Sequence, residues 1–135
     1  MSFDLYVQRF QNGGIATFPR SVLEDIFGPG AINPSFGLTQ VEYEDGSHAE
    51  IYGNDSADLD GLMFTHFGGE NVFARIFELA DRTGSVIYWM DTAPALAVTR
   101  PSVIEHIPED CLNAIGPAFV ARDHRALMDY IARRD

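Results

Sequence analysis

The side chains best suited to chemistry are concentrated in residues 40–61, which read QVEYEDGSHAEIYGNDSADLDG. The acidic residues of this stretch are Glu42, Glu44, Asp45, Glu50, Asp55, Asp58 and Asp60, and it contains no Lys or Arg. Clustered carboxylates can hold a metal ion, attract a cationic partner or remain solvated at the surface. The stretch is therefore compatible with three different roles.

Two patterns in this region are similar to metal sites, and both are incomplete. Residues 56–67 follow the spacing of an EF-hand calcium loop, but Ser56 replaces the first Asp and Phe67 replaces the bidentate Glu at the last position. Glu42, His48 and Glu50 offer groups that zinc, manganese and iron accept, but no HExxH motif accompanies them. We therefore predict no metal and no cofactor.

No catalytic residue can be assigned from motifs. The chain lacks a GxSxG motif, and its single cysteine, Cys111, follows Glu109 and Asp110, whose charges disfavour a thiolate. HFGGEN, residues 66–71, is a glycine turn before a helix, but Glu70 occupies the place where an anion would bind. Enzymatic activity therefore stays an open question, and the sequence favours a non-enzymatic role.

The formal net charge of −11 is distributed unevenly. Residues 21–74 contain ten acidic and no basic residues, whereas the rest of the chain has ten acidic residues against nine arginines. A field of this sign repels nucleic acid and anionic lipid and attracts cationic proteins. We therefore predict an acidic interaction module, similar in physical character to immunity proteins that neutralise basic toxins. Its predicted binding residues are Glu42, His48, Glu50, Asp55, Asp58 and Asp60.

A second hypothesis is a small enzyme or ligand-binding domain with a pocket between its sheet and its helices. The acid–base groups of that pocket would be His48, Glu50, Tyr52 and His66. This hypothesis requires His48 and His66 to face the same pocket. Alternation along residues 62–68, however, places His66 with Leu62 and Phe64, in the core or at a sheet edge.

The element that carries most of these residues is a predicted β-hairpin over residues 38–53. A three-residue loop, residues 44–46, puts Gly46 where a left-handed conformation is needed. It pairs Glu42 with His48 and places Gln40 opposite Glu50. One face of the hairpin is then mostly apolar and the other polar, as a half-buried hairpin requires.

Strand and helix patterns alternate along the rest of the chain. Residues 2–10, 62–68, 85–90, 95–99 and 117–121 have strand patterns, and the Gly/Pro-rich residues 28–37 are predicted to form a loop. Helices are predicted over residues 18–28, 68–84 and 122–134, with shorter helical turns on either side of Pro108. The predicted fold is α+β, a single domain over residues 1–135. Its sheet has five or six strands, mostly antiparallel or mixed, with two main helices packed on one face.

The composition also limits the cellular location and the oligomeric state that we expect for the protein. No apolar run approaches the ~20 residues that a membrane span needs, and residues 1–10 lack the basic and apolar regions of a secretory signal. A single cysteine excludes an intramolecular disulfide framework. We therefore expect a cytoplasmic protein, either a monomer or a homodimer.

Four segments carry a resemblance to known sequences: MSFDLYVQRF, FPRSVLEDIFG, NVFARIFELADRTGSVIYW and PALAVTRPSVIEHIPEDCL. On these segments the chain resembles a group of small uncharacterised bacterial proteins over most of its length. No function is assigned to that group. The resemblance therefore implies a cytoplasmic bacterial single domain and no catalytic residue.

Overall fold

The computed structural model describes residues 4–28, 31–35, 38–54, 56–90 and 95–133, and for residues 31–35 and 38 it describes the backbone only. The strands are β1 (Leu5–Gln11), β2 (Gly14–Ala16), β3 (Phe18–Pro19), β4 (Ala31–Ser35), β5 (Leu38–Glu42), β6 (His48–Gly53), β7 (Asp58–Leu59), β8 (Leu62–Gly68), β9 (Ser85–Trp89), β10 (Ala95–Val98) and β11 (Phe119–Val120). The helices are α1 (Arg20–Phe27), α2 (Glu70–Thr83), a 3-10 helix (Pro101–His106), α3 (Glu109–Ile115) and α4 (His124–Ala132). Among these helices, none has the length and apolar character that crossing a membrane requires.

The main sheet has the strand order β11-β10-β9-β1-β8-β6-β5-β4, with β2 paired to β1 as a ninth strand. Strands β3 and β7 form a separate small sheet. Among the described strands, β10 and β11 are the one parallel pair, and the other pairs are antiparallel. The predicted α+β fold with a mostly antiparallel, mixed sheet is confirmed, although the sheet is larger than the five or six strands expected.

The larger strand count comes first from β4, which lies in the segment predicted to be a loop. Its backbone pairs with β5, with Ala31 opposite Val41 and Ile32 opposite Gln40. Because β4 is the last strand on its side of the sheet, Pro34 can be accommodated without leaving an inner neighbour unpaired. Strands β2, β3 and β7 have only two or three residues, which is too short for alternation to be recognised.

One face of the sheet, the core face, is covered by α1, α2 and α4. The strand residues that point to it are apolar and buried, and they include Leu5, Val7, Ile51, Phe64 and Ile87. The helices pack against them with Leu23, Ile26 and Phe27 from α1, Val72, Ile76, Leu79 and Ala80 from α2, and Leu127 and Ile131 from α4. The predicted packing of the two main helices, α2 and α4, on one face is therefore observed, with α1 as a third helix.

A smaller apolar cluster lies on the opposite face of the sheet, at the end formed by β9 and β10. Val86, Leu96 and Val98 pack there against Val103 of the 3-10 helix and against Ile107. Alternation explains this arrangement, because Ile87 and Ala97, the neighbours in sequence, belong to the core face. The 3-10 helix and α3 thus cover one end of this face.

The predicted register of the β5–β6 hairpin is confirmed. Glu42 pairs with His48, Gln40 with Glu50 and Val41 with Ala49. In the loop, the Tyr43 N–H donates to the Ser47 carbonyl at 2.9 Å, and Gly46 has φ +89°. The left-handed glycine and the separation of apolar from polar residues select the same register.

The helix ends agree with the sequence at some positions and not at others. Asp123 caps α4, since its Oδ1 accepts from the Ala126 N–H at 2.8 Å, and Gly84 ends α2 with φ +67°. Ser21 and Asn71 are residue types that often cap helices, but neither caps one here, because α1 and α2 begin earlier, after Pro19 and Gly69.

Candidate functional site

Most of the predicted site residues lie on the face of the sheet opposite the core face. We call it the open face and define it by Tyr6, Gln40, Glu42, His48, Glu50, Tyr52, Met63, His66 and Tyr88. Strand pairing fixes this placement, because residues directly opposite each other in antiparallel strands share a face. Glu42 opposes His48, and Tyr52 opposes Met63, which also opposes Tyr6.

At one end of the open face, Glu42, His48, Glu50 and His66 line a shallow groove of about 220 Å³. The Nδ1 atom of His48 lies 3.1 Å from the Gly46 carbonyl oxygen. A carbonyl oxygen only accepts hydrogen bonds, so the Nδ1 atom of His48 carries the hydrogen of this contact. The groove therefore presents the two carboxylates of Glu42 and Glu50 beside the two imidazole rings.

His66 was predicted to lie with Leu62 and Phe64, in the core or at a sheet edge, and the core placement is wrong. The pairing of β6 with β8 shifts between Glu50 and His48, and at this bulge His66 has φ +47°. A β-bulge re-aims a side chain, and histidine is one of the residues that tolerates a left-handed conformation. The His66 side chain is consequently 66% exposed, and its Nδ1 lies 3.0 Å from Glu50 Oε1.

A second groove of the open face, about 360 Å³ in volume, lies beyond the first and is lined by tyrosines. The Tyr6 and Tyr88 rings stack with centroids 5.1 Å apart, and Tyr52 is 38% exposed at their side. Asp60 also lines this groove. Burial raises the pKa of Tyr88, and the neighbouring Tyr6 and Cys111 act in the same direction.

Sequence reasoning missed this tyrosine groove. Alternation along the strand pattern of residues 2–10 separates Tyr6 from Leu5 and Val7, but it gives no partner for Tyr6. The groove exists because β1 pairs with both β8 and β9, which brings Tyr6 beside Met63 and Tyr88. Those pairings join residues far apart in sequence, so no local pattern predicts them.

The remaining predicted binding acids have different environments. Asp58 is exposed on β7 in the small sheet and does not line either groove, and Asp55 lies outside the described residues. Asp45, an acid of the same stretch that was not among the predicted binding residues, stabilises the hairpin loop, because its carboxylate accepts from the N–H and the hydroxyl of Ser47, both at 3.0 Å. The backbone hydrogen bond from Ser47 is the main cause that lowers the pKa of Asp45.

Residues 21–74 contain no basic residue, but in the folded chain three arginines from outside this stretch contact it. Arg20 donates to the carbonyls of Asn54 and Ser56, and Arg75 lies 4.3 Å from the centre of the Tyr43 ring. Arg82 forms an ion pair with Asp25 at 2.8 Å. The acidic residues of 21–74 therefore do not form a continuous negative surface that is free of arginines.

Two other residues considered from the sequence have structural roles. Burial raises the pKa of the Cys111 thiol, which disfavours the nucleophilic thiolate. Gly69, in the glycine turn before α2, has φ +100°, and an added Cβ would lie 2.7 Å from Ser47 Cα. The turn thus needs glycine for close backbone packing, and Glu70 beside it binds His124 and Arg125 at 2.9 and 3.1 Å.

The described residues contain no group of three or more His, Cys, Asp or Glu side chains placed to hold a metal ion. Comparisons of the chain with models of known protein families, with curated proteins and with solved structures find no match. The function therefore has to be argued from the geometry and charge of the open face.

Proposed function

We propose that the open face binds a cationic protein partner and that the chain is a non-enzymatic interaction module. One observation carries this proposal: unpaired carboxylates and accessible tyrosine rings share a face that the described helices leave largely uncovered. Within the described residues, the carboxylates of Glu42 and Asp60 form no ion pair and accept no hydrogen bond. Their charge is available to a partner.

The spacing of these groups suits an extended basic segment. Glu42 stands opposite His48, and Asp60 lines the groove beside Tyr52. Because a strand rises about 3.3 Å per residue, the distance from His48 to Tyr52 along β6 is about 13 Å. A partner segment of four or five residues would reach both carboxylates while it crosses Glu50.

The tyrosines add an anchor to this charge pattern. Arginine and lysine side chains pack favourably over aromatic rings, and Tyr52 is accessible to such contact. Interfaces commonly combine aromatic anchors with charges that accelerate the encounter and set its orientation. The proposed partner therefore presents arginines or lysines at its docking surface.

The test compares two triple variants that lose the same number of charges. The open-face variant carries Glu42→Gln, Glu50→Gln and Asp60→Asn. The control variant carries Glu24→Gln, Glu78→Gln and Asp129→Asn, which are exposed positions on the helices of the other face. The partner is captured from native lysate at about 50 mM and about 300 mM salt, identified by mass spectrometry and purified for calorimetry with each variant.

We expect a basic partner whose affinity falls about tenfold or more in the open-face variant and within about threefold in the control variant. Affinity should also fall between the two salt concentrations, since exposed charge contacts are screened. Equal weakening by both variants would show that only the net charge matters. A partner that binds both variants as tightly as the wild type would place the interface elsewhere.

A second candidate function, a small enzyme or ligand-binding domain, is supported by the bulge at His66, although its groove lies on the open face and not between the sheet and the helices as the sequence predicted. The bulge places the His66 imidazole 3.0 Å from the Glu50 carboxylate and in the same groove as His48. A paired imidazole and carboxylate can transfer protons to and from a bound ligand. The variant His66→Gln separates the two functions. Docking of a cationic protein should survive it, whereas a small ligand detected through the ring resonances of His48 should lose its site.

A further inference from the structure

A third cavity, of about 200 Å³, lies where the end of β1, the α2–β9 turn and the 3-10 helix meet. Its polar side chains are those of Arg9, Gln11, Thr83, Arg100, Ser102 and His106. Among the described residues, no Asp or Glu lines it. In a chain with a formal net charge of −11, this is a local surface of the opposite sign.

The orientation of His106 is fixed by the β1–β2 hairpin. The backbone N–H of Asn12 donates to His106 Nδ1 at 3.1 Å, and the Gly13 N–H donates to the His106 carbonyl at 3.0 Å. A ring that accepts at Nδ1 is neutral and carries its hydrogen on Nε2. His106 therefore brings a hydrogen-bond donor, held in place by the hairpin turn, to the lining of the cavity.

The two arginines retain donors that the fold does not use. Arg9 donates from Nη1 to the Thr17 carbonyl at 2.9 Å and has no carboxylate partner in the described residues. Arg100 contacts the Asp81 carboxylate with Nε at 3.2 Å and donates from Nη2 to the Asp81 backbone carbonyl at 2.6 Å. A guanidinium has five N–H donors, so each arginine keeps several that can bind an anion.

We propose that this cavity binds a small phosphate-class oxyanion. Two guanidinium groups, the His106 N–H and the Ser102 hydroxyl supply donors of the kind that bind phosphate oxygens. The volume lies below the ~300 Å³ of the smallest typical organic-ligand pockets, which favours a compact anion. The other arginine-rich surface, around Arg122, Arg125 and Arg133, is also lined by Asp123 and Asp129, which oppose an anion.

The experiment is an NMR titration of the ¹⁵N-labelled full chain with inorganic phosphate, and in parallel with acetate, at constant ionic strength set with sodium chloride. The amides of Gly84 and Ser102 and the ring of His106 report on the cavity. Three variants are compared with the wild type: Arg9→Gln, Ser102→Ala and Arg20→Gln. The last is the matched control, since Arg20 also donates to backbone carbonyls but lies outside the cavity.

We expect saturable shifts at these reporters with phosphate, about tenfold weaker binding in Arg9→Gln and about threefold weaker binding in Ser102→Ala. Arg20→Gln should bind phosphate like the wild type. Ser102 is exposed, so its variant tests the cavity even if Arg9→Gln fails to fold. The proposal is overturned if phosphate does not saturate below about 50 mM, if acetate binds as tightly, or if Arg9→Gln and Arg20→Gln weaken binding equally.

Discussion

The two faces of the main sheet are made by alternate residues of the same strands, yet they have opposite character. In β6, Ala49 and Ile51 point to the core face and are buried, while His48 and Tyr52 are exposed on the open face. In β8, Leu62 and Phe64 belong to the core face and Met63 to the open face. Because neighbours in sequence lie on opposite sides, a single strand contributes both to stability and to a surface available for binding.

Substitutions can therefore change stability and the binding surface separately, except where the alternation of a strand is interrupted. At His66 the bulge interrupts alternation, and a side chain expected on the core side reaches the open face. The residues that follow the bulge lead to Gly69, where the chain passes close to Ser47. The bulge and this close contact are therefore the places where a substitution should affect both faces.

Stability should differ most between Ile51→Ala and Tyr52→Ala, which change adjacent residues on opposite faces. Ile51 is only 2% exposed, and its loss should leave a cavity that costs about 4 kcal/mol of unfolding free energy. Tyr52→Ala should cost at most about 1 kcal/mol, since its ring is partly exposed. Urea unfolding followed by circular dichroism measures both. Similar losses from the two substitutions would show that the open face is part of the core.

The next largest loss of stability is expected from substituting two glycines with positive φ, Gly69 and Gly46. Gly69 has φ +100° and lies against Ser47, so Gly69→Ala adds a steric clash with the backbone to the conformational strain. We expect it to cost about 3 kcal/mol. Gly46 has φ +89°, but an added Cβ would meet no atom within 4 Å. Gly46→Ala should therefore cost about 1–2 kcal/mol from the backbone conformation alone.

The same unfolding experiment measures both glycine variants. If Gly46→Ala destabilises the protein as much as Gly69→Ala, the close approach of Gly69 to Ser47 has no energetic role. The packing between the β5–β6 hairpin and the start of α2 would then be less tight than the contact of Gly69 with Ser47 indicates.

Features that depend on interactions between residues close together in sequence were predictable from the sequence. The hairpin register was predictable, because Gly46 fixes the loop and the apolar alternation of Val41 and Ala49 fixes the face. The ends of α4 and α2, at Asp123 and Gly84, were also local signals. Each depends on residues within a few positions of one another.

The features that sequence missed depend on distant pairing. The tyrosine groove requires β1 to lie between β8 and β9, and the exposure of His66 requires a register shift against β6. The sequence shows correctly that residues 21–74 have ten acidic and no basic residues. It does not show that Arg20, Arg75 and Arg82 contact this stretch in the folded chain. Charge patterning in sequence therefore overstated the isolation of the acidic surface, although Glu42 and Asp60 remain unpaired among the described residues.

A smaller difference in stability is expected between two exposed carboxylates, of which one forms ion pairs and the other forms none among the described residues. Hydrogen bonds from His124 and then Arg125 lower the pKa of Glu70 from its ordinary value of 4.5. A carboxylate whose pKa is lower in the folded chain contributes its full stabilisation above that ordinary value and loses it as the pH falls through the folded value. Stability should therefore decline below about pH 4.5.

Glu70→Gln should flatten this acid decline, and the control Glu42→Gln should leave it unchanged, because Glu42 has no ion-pair partner in the described residues. Both side chains are exposed, so the difference should be small and should decrease as salt is added. Urea unfolding at a series of pH values from about 3 to 7 measures it. If Glu42→Gln flattens the decline as much as Glu70→Gln does, the acid sensitivity reflects the net charge of the chain and not the contact between α2 and α4.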